Sequence, residues 1–258
     1  ISGAKVRRLS GTDLGKIVIP VPPLEVQREI VRILDHFTEL EAELEARTVQ
    51  LAQLRSRLLT QGVHPSVKLD EIADFRYGLT ASAMPEGDTR FLRITDIDAN
   101  GKLRPDGAKF VSGAGISDEH RAQPMDILVA RTGGTYGKTM LVEHPGPAAY
   151  ASFLIRLRTD PARMHARFYW HFAQSDLYWR QANALVSTGG QPQFNANVLR
   201  QVAVPAPPLD EQLRIVETLD SLDRLVTDLS VGLPAELAAR RRQYEYYRDK
   251  LLTFEEAK

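Results

Sequence analysis

The sequence contains no cysteine, and this absence removes several classes of protein at once. Without thiols the chain can form neither a disulfide framework nor a zinc site with thiolate ligands. Its six histidines lack the regular spacing of a metal site, so we expect no bound metal. A cytoplasmic location fits a chain without cysteine, because disulfide-stapled folds belong mainly to oxidising compartments.

Long hydrophobic runs and an excess of charge are also missing. The apolar stretches, such as residues 127–130 and 153–155, are far shorter than the roughly 20 residues that cross a bilayer. Lys plus Arg and Asp plus Glu each number 33, so the formal charge is zero. This balance argues against a globally cationic protein that wraps nucleic acid, but it leaves room for a local basic surface.

What the sequence does contain is a segment that occurs twice. Residues 17–40 and 202–225 both open with a proline cluster and continue with the same apolar pattern. A unit repeated around a large unrelated segment indicates a protein built on a two-fold plan. The matching pairs include Gln27 and Gln212, Ile30 and Ile215, Val31 and Val216, Leu34 and Leu219, and Asp35 and Asp220.

Each repeat predicts a long helix that pairs with another helix. Pro23 suits the first helical position, and apolar residues then recur every seven positions, as in a coiled coil. The second helix is interrupted at residues 232–234, Gly-Leu-Pro. The alternative is a pair of amphipathic helices that each pack on a globular core. The predicted helix-pairing positions are Ile30, Phe37, Leu44, Leu51 and Leu58 in the first repeat and Leu222, Leu237, Tyr244 and Leu251 in the second.

The segment between the repeats reads as an α+β domain. Short apolar stretches bounded by Gly, Pro and polar residues predict strands. A single helix is expected over residues 162–184, where aromatic side chains are more readily explained as core than as a ligand platform. The predicted strands lie at residues 91–94, 126–130, 140–142, 151–157 and 202–204.

A glycine-rich segment at residues 131–139 is the strongest candidate for a binding site. It ends in Gly-Lys-Thr, but Thr132 stands where a nucleotide-binding phosphate loop requires glycine. Backbone N–H groups, hydroxyls and two cations also suit a DNA backbone, and arginine can read guanine. The alternative is a tight hairpin whose charges are merely solvated. The DNA-contact candidates in this segment are Arg131, Thr132, Gly133, Gly134, Tyr136 and Lys138.

Three further residues extend the predicted DNA surface. Gln191 and Gln193 lie in a second polar loop, and glutamine can read adenine. Arg93 lies on a predicted strand and could add to the same surface. No nucleophile elbow, nuclease motif or cofactor-binding glycine loop is visible, so we expect no catalytic residue in this chain.

The repeated motif carries a resemblance to a known family. Pro-x-Pro-Pro-Leu-x-x-Gln-x-x-Ile-Val occurs at residues 20–31 and again at 205–216, and a Tyr-rich tail follows at residues 233–252. These segments resemble the DNA-specificity subunits of type I restriction-modification systems. The resemblance implies an α+β target recognition domain beside two long helices that form an antiparallel coiled coil.

The resemblance also implies a function and a set of partners. The chain would read one half of a bipartite site in double-stranded DNA and scaffold the modification (methyltransferase) subunits, with a restriction subunit joining them. Adenosylmethionine, ATP and magnesium would be bound by those partner subunits and no cofactor by this chain. The alternative is a coiled-coil dimeric adaptor whose middle domain binds protein.

The expected division of the chain differs from a full-length specificity subunit. Residues 1–19 would be the end of a preceding recognition domain, 20–62 the first conserved helix, 63–205 the recognition domain, and 206–258 the second conserved helix. With one complete recognition domain, the chain is expected to be a half-size or truncated subunit. A half-size subunit would act as a homodimer on an interrupted palindrome.

Overall fold

The computed structural model describes residues 21–62, 64–186, 193–227 and 241–246, together with Gly11, Gly15 and Ala239. The chain divides into two compact units. One comprises residues 1–46 and 228–258, and the other comprises residues 47–227. Within the described ranges, no helix has both the length and the apolar character needed to cross a membrane.

The first helix, α1, spans Leu24–Thr60. It begins directly after Pro23, with Glu25 in its first turn and Arg57 in its last, where each charge opposes the helix dipole. Gln27 Nε2 donates a hydrogen bond to the Pro22 carbonyl at 2.7 Å and so ties the proline cluster to the helix. The 37 residues of α1 extend over about 55 Å.

Burial along α1 follows the seven-residue pattern of the sequence. Leu51 is buried, and Ile30, Phe37, Leu44 and Leu58 are half-buried. In the smaller unit the Phe37 ring is stacked on the Tyr244 ring, with centroids 6.4 Å apart. The two repeats therefore contact each other at one predicted pair of positions. Leu237, Leu251 and the Gly-Leu-Pro break at 232–234 lie outside the described residues.

The larger unit contains three sheets and the remaining helices. Its strands form a two-stranded sheet β1-β9, a four-stranded sheet β2-β8-β5-β6 and a three-stranded sheet β4-β3-β7. The elements are β1 (Ser66–Lys68), α2 (Leu69–Ile72), β2 (Ala73–Tyr77), β3 (Thr89–Leu92), β4 (Phe110–Val111), β5 (Ile127–Ala130), β6 (Thr139–Leu141), β7 (Ala148–Tyr150), β8 (Leu154–Thr159), α3 (Ala166–Ala173), α4 (Asp176–Leu185), α5 (Ala196–Leu199), β9 (Ala203–Pro205) and α6 (Leu209–Thr227).

The four-stranded sheet lies at the centre of the core, and both faces of its strand β5 are apolar. Side chains alternate along β5, so that Ile127 and Val129 join one hydrophobic cluster while Leu128 and Ala130 join another. The first cluster includes the aromatic side chains of α3 and α4, and the second includes residues of β3 and β7. The sequence-based α+β assignment is confirmed.

Two predicted elements differ in extent from those of the structure. The single helix expected over residues 162–184 is α3 and α4, separated at Gln174 and Ser175. Ser175 Oγ donates to the Phe172 carbonyl at 2.6 Å, and this local bond competes with helix continuation. The strand expected over 151–157 begins only at Leu154, as β8, because Ser152 and Phe153 form a turn after β7. Five of the helical aromatics, Phe168, Tyr169, Trp170, Phe172 and Tyr178, are buried core residues, as the sequence indicated.

The helix of the second repeat, α6, is held on the α+β domain by its repeated residues. Ile215, Val216 and Leu219 are all less than 9% exposed. Gln212 accepts from the His165 N–H at 2.8 Å and donates to the Arg163 and Pro207 carbonyls. The bond to Pro207 reproduces the bond of Gln27 to Pro22 in the first repeat.

A group of charged side chains completes this attachment. Asp220 lies 2.8 Å from the buried His171 Nε2 and 3.3 Å from Arg167. Burial lowers the pKa of His171, while the pKa of Asp220 is also lowered because His171 and Arg167 outweigh the opposing effect of burial. Asp223 lies 3.7 Å from Arg55 of α1, a contact between the helices of the two repeats. The expected domain boundaries at 63 and 205 stay a prediction.

Because α6 is packed on the domain, substitutions of two leucines in this helix should differ in their effect on stability. Leu219→Ala should lower the free energy of unfolding by about 2–5 kcal/mol, because a fully buried side chain leaves a cavity. Leu213→Ala, at a position 44% exposed, should change it by less than about 1 kcal/mol. Urea denaturation of both variants measures the difference, and equal effects would show that α6 is not packed on the domain.

Candidate nucleic-acid interface

One end of the four-stranded sheet collects most of the residues that the sequence singled out. In the sheet register, Tyr77 is paired with Ile155, Ile155 with Val129, and Val129 with Thr139. The residues just beyond this row, Arg131, Lys138 and Phe153, therefore lie at the same end of the sheet as Tyr77. We call this end, defined by Tyr77, Arg131, Lys138 and Phe153, the reading edge.

The glycine-rich segment is a hairpin loop between β5 and β6. The Ala130 N–H donates to the Lys138 carbonyl and the Gly137 N–H to the Ala130 carbonyl, both at 2.8 Å. A short 3-10 turn at Gly133–Thr135 forms the tip. Because a strand follows the loop where a phosphate loop requires a helix, nucleotide binding of the phosphate-loop type is excluded here.

The loop is held in place by side chains of the core. The Tyr136 hydroxyl donates to Asn183 Oδ1 at 2.8 Å, and its ring contacts those of Trp179 and Phe194. The Tyr178 hydroxyl donates to the Gly137 carbonyl at 2.8 Å. Tyr136 thus serves mainly as an anchor, although it was predicted to contact DNA.

The remaining predicted residues of the loop differ in solvent exposure. Thr132 is buried, Gly133 is half-buried with φ of 72°, and Gly134 is exposed. Gln193 forms an isolated antiparallel bridge with Thr132, which brings the second polar loop to the reading edge. Gln191 lies outside the described residues. As DNA contacts, all of these residues remain predictions.

Arg131 occupies the centre of the reading edge. Its backbone is fixed on both sides, since its N–H donates to the Phe153 carbonyl at 3.1 Å and its carbonyl accepts from Phe194 at 2.8 Å. The guanidinium carbon lies 5.1 Å from the ring centroid of Tyr77 and 5.8 Å from that of Phe153. Both distances are within the range of cation–π contacts.

Arg93 is engaged elsewhere. Its guanidinium donates twice to the buried carboxylate of Asp96, at 2.9 and 3.3 Å, and once to the Gly107 carbonyl. Asp96 also accepts from the Arg93 backbone N–H at 2.9 Å. An arginine held by so many acceptors has few donors left for a ligand, so Arg93 is the weakest of the predicted contacts.

Two residues of the reading edge were not found from the sequence. Tyr77 and Phe153 are 43% and 53% exposed, unusual for aromatic side chains in a domain whose other aromatics are mostly buried. Tyr77 is the last residue of β2 and Phe153 directly precedes β8, two residues from the clustered core residues Phe75 and Ile155. The signal was present only as an aromatic residue at a strand end. Among the described residues, no cluster of His, Asp and Glu could hold a metal ion.

The chain matches a described protein family over most of its length. The family is described as the type I restriction modification DNA specificity domain, and the match covers residues 1–52 and 65–239. Both repeats and the domain between them lie within these ranges.

Individual relatives have the same description. A Haemophilus influenzae chain named as a type I restriction enzyme specificity subunit is 29% identical over 98% of this chain and 68% of its own length. The specificity subunit of an Escherichia coli type I restriction enzyme is 29% identical over 93% of this chain and 63% of its own. This chain therefore spans about two thirds of these relatives.

Solved structures share the fold. A structure of a type I restriction-modification system is similar with a TM-score of 0.62 at 19% identity, covering 97% of this chain and 65% of that one. A specificity subunit from M. genitalium is similar with a TM-score of 0.59 at 12% identity, covering 88% and 60%. At these identities the likeness supports the fold: a recognition domain with long helices.

The hairpin geometry predicts that two glycines of the loop differ in tolerance. At Gly137, φ is 77° and an added Cβ would lie 3.1 Å from the Trp179 ring, so Gly137→Ala should cost about 1–3 kcal/mol of stability. Gly134→Ala meets open space and should change stability by less than about 1 kcal/mol. Thermal denaturation compares them. A tolerated Gly137→Ala would mean that the loop is not held as described.

Proposed function

This chain belongs to the family of type I restriction modification DNA specificity domains, and we propose that it selects the DNA sequence on which a type I restriction-modification complex acts. The observation that carries the proposal is the family match across both repeats and the domain between them. The chain would read one half of a bipartite site in double-stranded DNA. Catalysis would reside in other subunits.

The reading edge is the part of the recognition domain best suited to DNA. It combines two cations, Arg131 and Lys138, with exposed backbone at Gly134 and two exposed aromatic rings. Phosphate contacts fix the position of a protein on DNA, and contacts to base edges choose the sequence. We assign Lys138 to the first task and Arg131 to the second.

The partners follow from the same family membership. Modification subunits that bind adenosylmethionine, and a restriction subunit that uses ATP and magnesium, would assemble around the paired helices. A cytoplasmic location is part of this proposal, because the complex must reach cellular DNA. We propose that the chain is divided accordingly. The recognition domain would comprise residues 63–205, and the conserved helices would comprise residues 20–62 and 206–258.

A second chain would complete the two-fold plan. In the second repeat Val216 and Leu219 are 5% and 0% exposed, because the recognition domain covers them. The equivalent residues of the first repeat, Val31 and Leu34, are 54% and 36% exposed. Residues identical in sequence are thus covered in one copy and open in the other.

We infer that another copy of this chain packs against the first half of α1. Exposed apolar residues that a repeat buries elsewhere favour an interface over solvent. Each copy would contribute one recognition domain, and the recognised site would be an interrupted palindrome. The residues 1–19, taken as the end of a preceding domain, lie outside the described residues apart from Gly11 and Gly15.

Selection from random duplexes tests the DNA-binding proposal. The chain should enrich one sequence, and its affinity should fall steeply with salt. Lys138→Ala should weaken binding to all duplexes alike and reduce the slope of log K against log salt by about one unit. Lys68→Ala, on β1 in the two-stranded sheet, is the control and should leave the slope unchanged. Binding that ignores salt and selects no sequence would favour the protein-binding adaptor.

Sedimentation of the isolated chain tests the second copy. The chain should have twice its monomer mass, and the double variant Val31→Asp with Leu34→Asp should be a monomer, because buried unpaired charges disrupt an apolar interface. Val49→Asp, at a position of α1 that is 50% exposed, is the matched control and should stay a dimer. A monomer that binds a single asymmetric site would contradict the proposal.

A further inference from the structure

Three residues of the reading edge, Tyr77, Arg131 and Phe153, form a small site that is already assembled. Tyr77 is held by the Ala196 N–H, which donates to its hydroxyl oxygen at 3.1 Å. Phe153 is tied to Arg131 by the backbone bond at 3.1 Å. The guanidinium carbon lies within cation–π distance of both rings, at 5.1 and 5.8 Å, and the backbone that carries each residue is held by the sheet, so the site is partly ordered before a ligand binds.

Only the two terminal nitrogens of the Arg131 guanidinium are available to a ligand. Arg131 Nε is buried and has no acceptor among the described residues. No hydrogen bond or ion pair joins its two terminal nitrogens to any of those residues either. Because Nε is enclosed, a ligand must be met by the terminal nitrogens, which form a planar fork suited to two acceptors side by side.

Two DNA groups offer such a pair of acceptors: a phosphate and the O6 and N7 atoms of guanine. The flanking rings decide between them. Phe153 and Tyr77 are 53% and 43% exposed, and a hydrated phosphate would leave their apolar faces in water. A base edge would cover them, and the 5-methyl group of thymine makes apolar contacts of this kind.

We propose that Arg131 reads a guanine in the major groove through its two terminal nitrogens, while Phe153 contacts the methyl group of an adjacent thymine. Tyr77 acts as a positioning residue that holds the guanidinium in the plane of the base. This assignment rests on the proposed DNA-reading function and adds the identity of two adjacent bases in the recognised sequence.

The experiment begins with the sequence that the full-length chain enriches from a random duplex library. That sequence should contain a guanine beside a thymine. Replacing this guanine by 7-deazaguanine, which lacks the N7 acceptor, should weaken binding of the unaltered chain by about 5-fold to 150-fold. Replacing the thymine by deoxyuridine, which lacks the methyl group, should weaken it by about 4-fold.

Variants connect each effect to its residue. Arg131→Ala and Arg131→Lys should lose the preference for guanine at that position and keep the preferences at the others, because lysine lacks the planar fork. Phe153→Ala should become insensitive to deoxyuridine at the neighbouring position. Tyr77→Phe keeps the ring and loses only the bond from the Ala196 N–H, so it should retain more of the guanine preference than Tyr77→Ala.

The outcomes distinguish a failure of this inference from a failure of the proposed DNA-reading function. If the chain enriches no sequence, the DNA-reading function fails. If it enriches a sequence but Arg131→Ala weakens all duplexes equally, Arg131 contacts a phosphate and the inference is wrong. The same holds if 7-deazaguanine has no effect at any guanine of the site. The 7-deazaguanine and deoxyuridine duplexes are tested with the unaltered chain, so their results do not depend on whether a variant folds, and the Arg131→Ala result is read only after its circular dichroism spectrum matches that of the unaltered chain.

Discussion

The register of the four-stranded sheet β2-β8-β5-β6 is the constraint on which the candidate interface depends. Its strands are antiparallel throughout. In β2 and β8, Phe75, Ile155 and Leu157 face a hydrophobic cluster, whereas the alternate residues include Asp74, Arg156 and Arg158 on the opposite face. A slip of one residue would turn every core side chain to the opposite face, so the register is strongly specified. The same register brings the ends of β2 and β5 and the beginnings of β6 and β8 to one edge. Tyr77, Arg131, Lys138 and Phe153 owe their proximity to it.

The repeat supplies the second organising feature, and the structure shows how one motif serves two situations. In both copies glutamine donates to a proline carbonyl five residues earlier, so the motif first determines how the chain enters a helix. In the second copy Gln212 also bonds to the backbone of His165 and Arg163 in the recognition domain. The Ile, Val and Leu that follow it are buried against this domain. The first copy has the same residues with Val31 and Leu34 exposed. The shared glutamine contact explains why both helices open with the same motif, whereas the burial of the residues that follow differs between the copies.

The sequence predicted the fold better than it predicted the site. The seven-residue spacing of apolar residues predicted α1 and its less exposed face, because this period is detectable over a helix of 37 residues. The division of residues 162–184 was missed, since it depends on one hydroxyl bond of Ser175. At the site, Arg131 was chosen for its chemistry, but Tyr77 and Phe153 are distant in sequence and meet it only through strand pairing. Tyr136 and Arg93 carry suitable groups for DNA, yet tertiary contacts engage both, and single-residue chemistry could not reveal that.

Cross-linking to DNA along one strand tests the central claim most directly. Phe153 and Asp160 are both exposed and lie just beyond opposite ends of β8. With a photoreactive phenylalanine placed at one position or the other, the variant at 153 should cross-link efficiently to the selected duplex and the variant at 160 should not. Cross-linking at 160 with none at 153 would show that DNA meets the opposite end of the sheet, and would contradict the account.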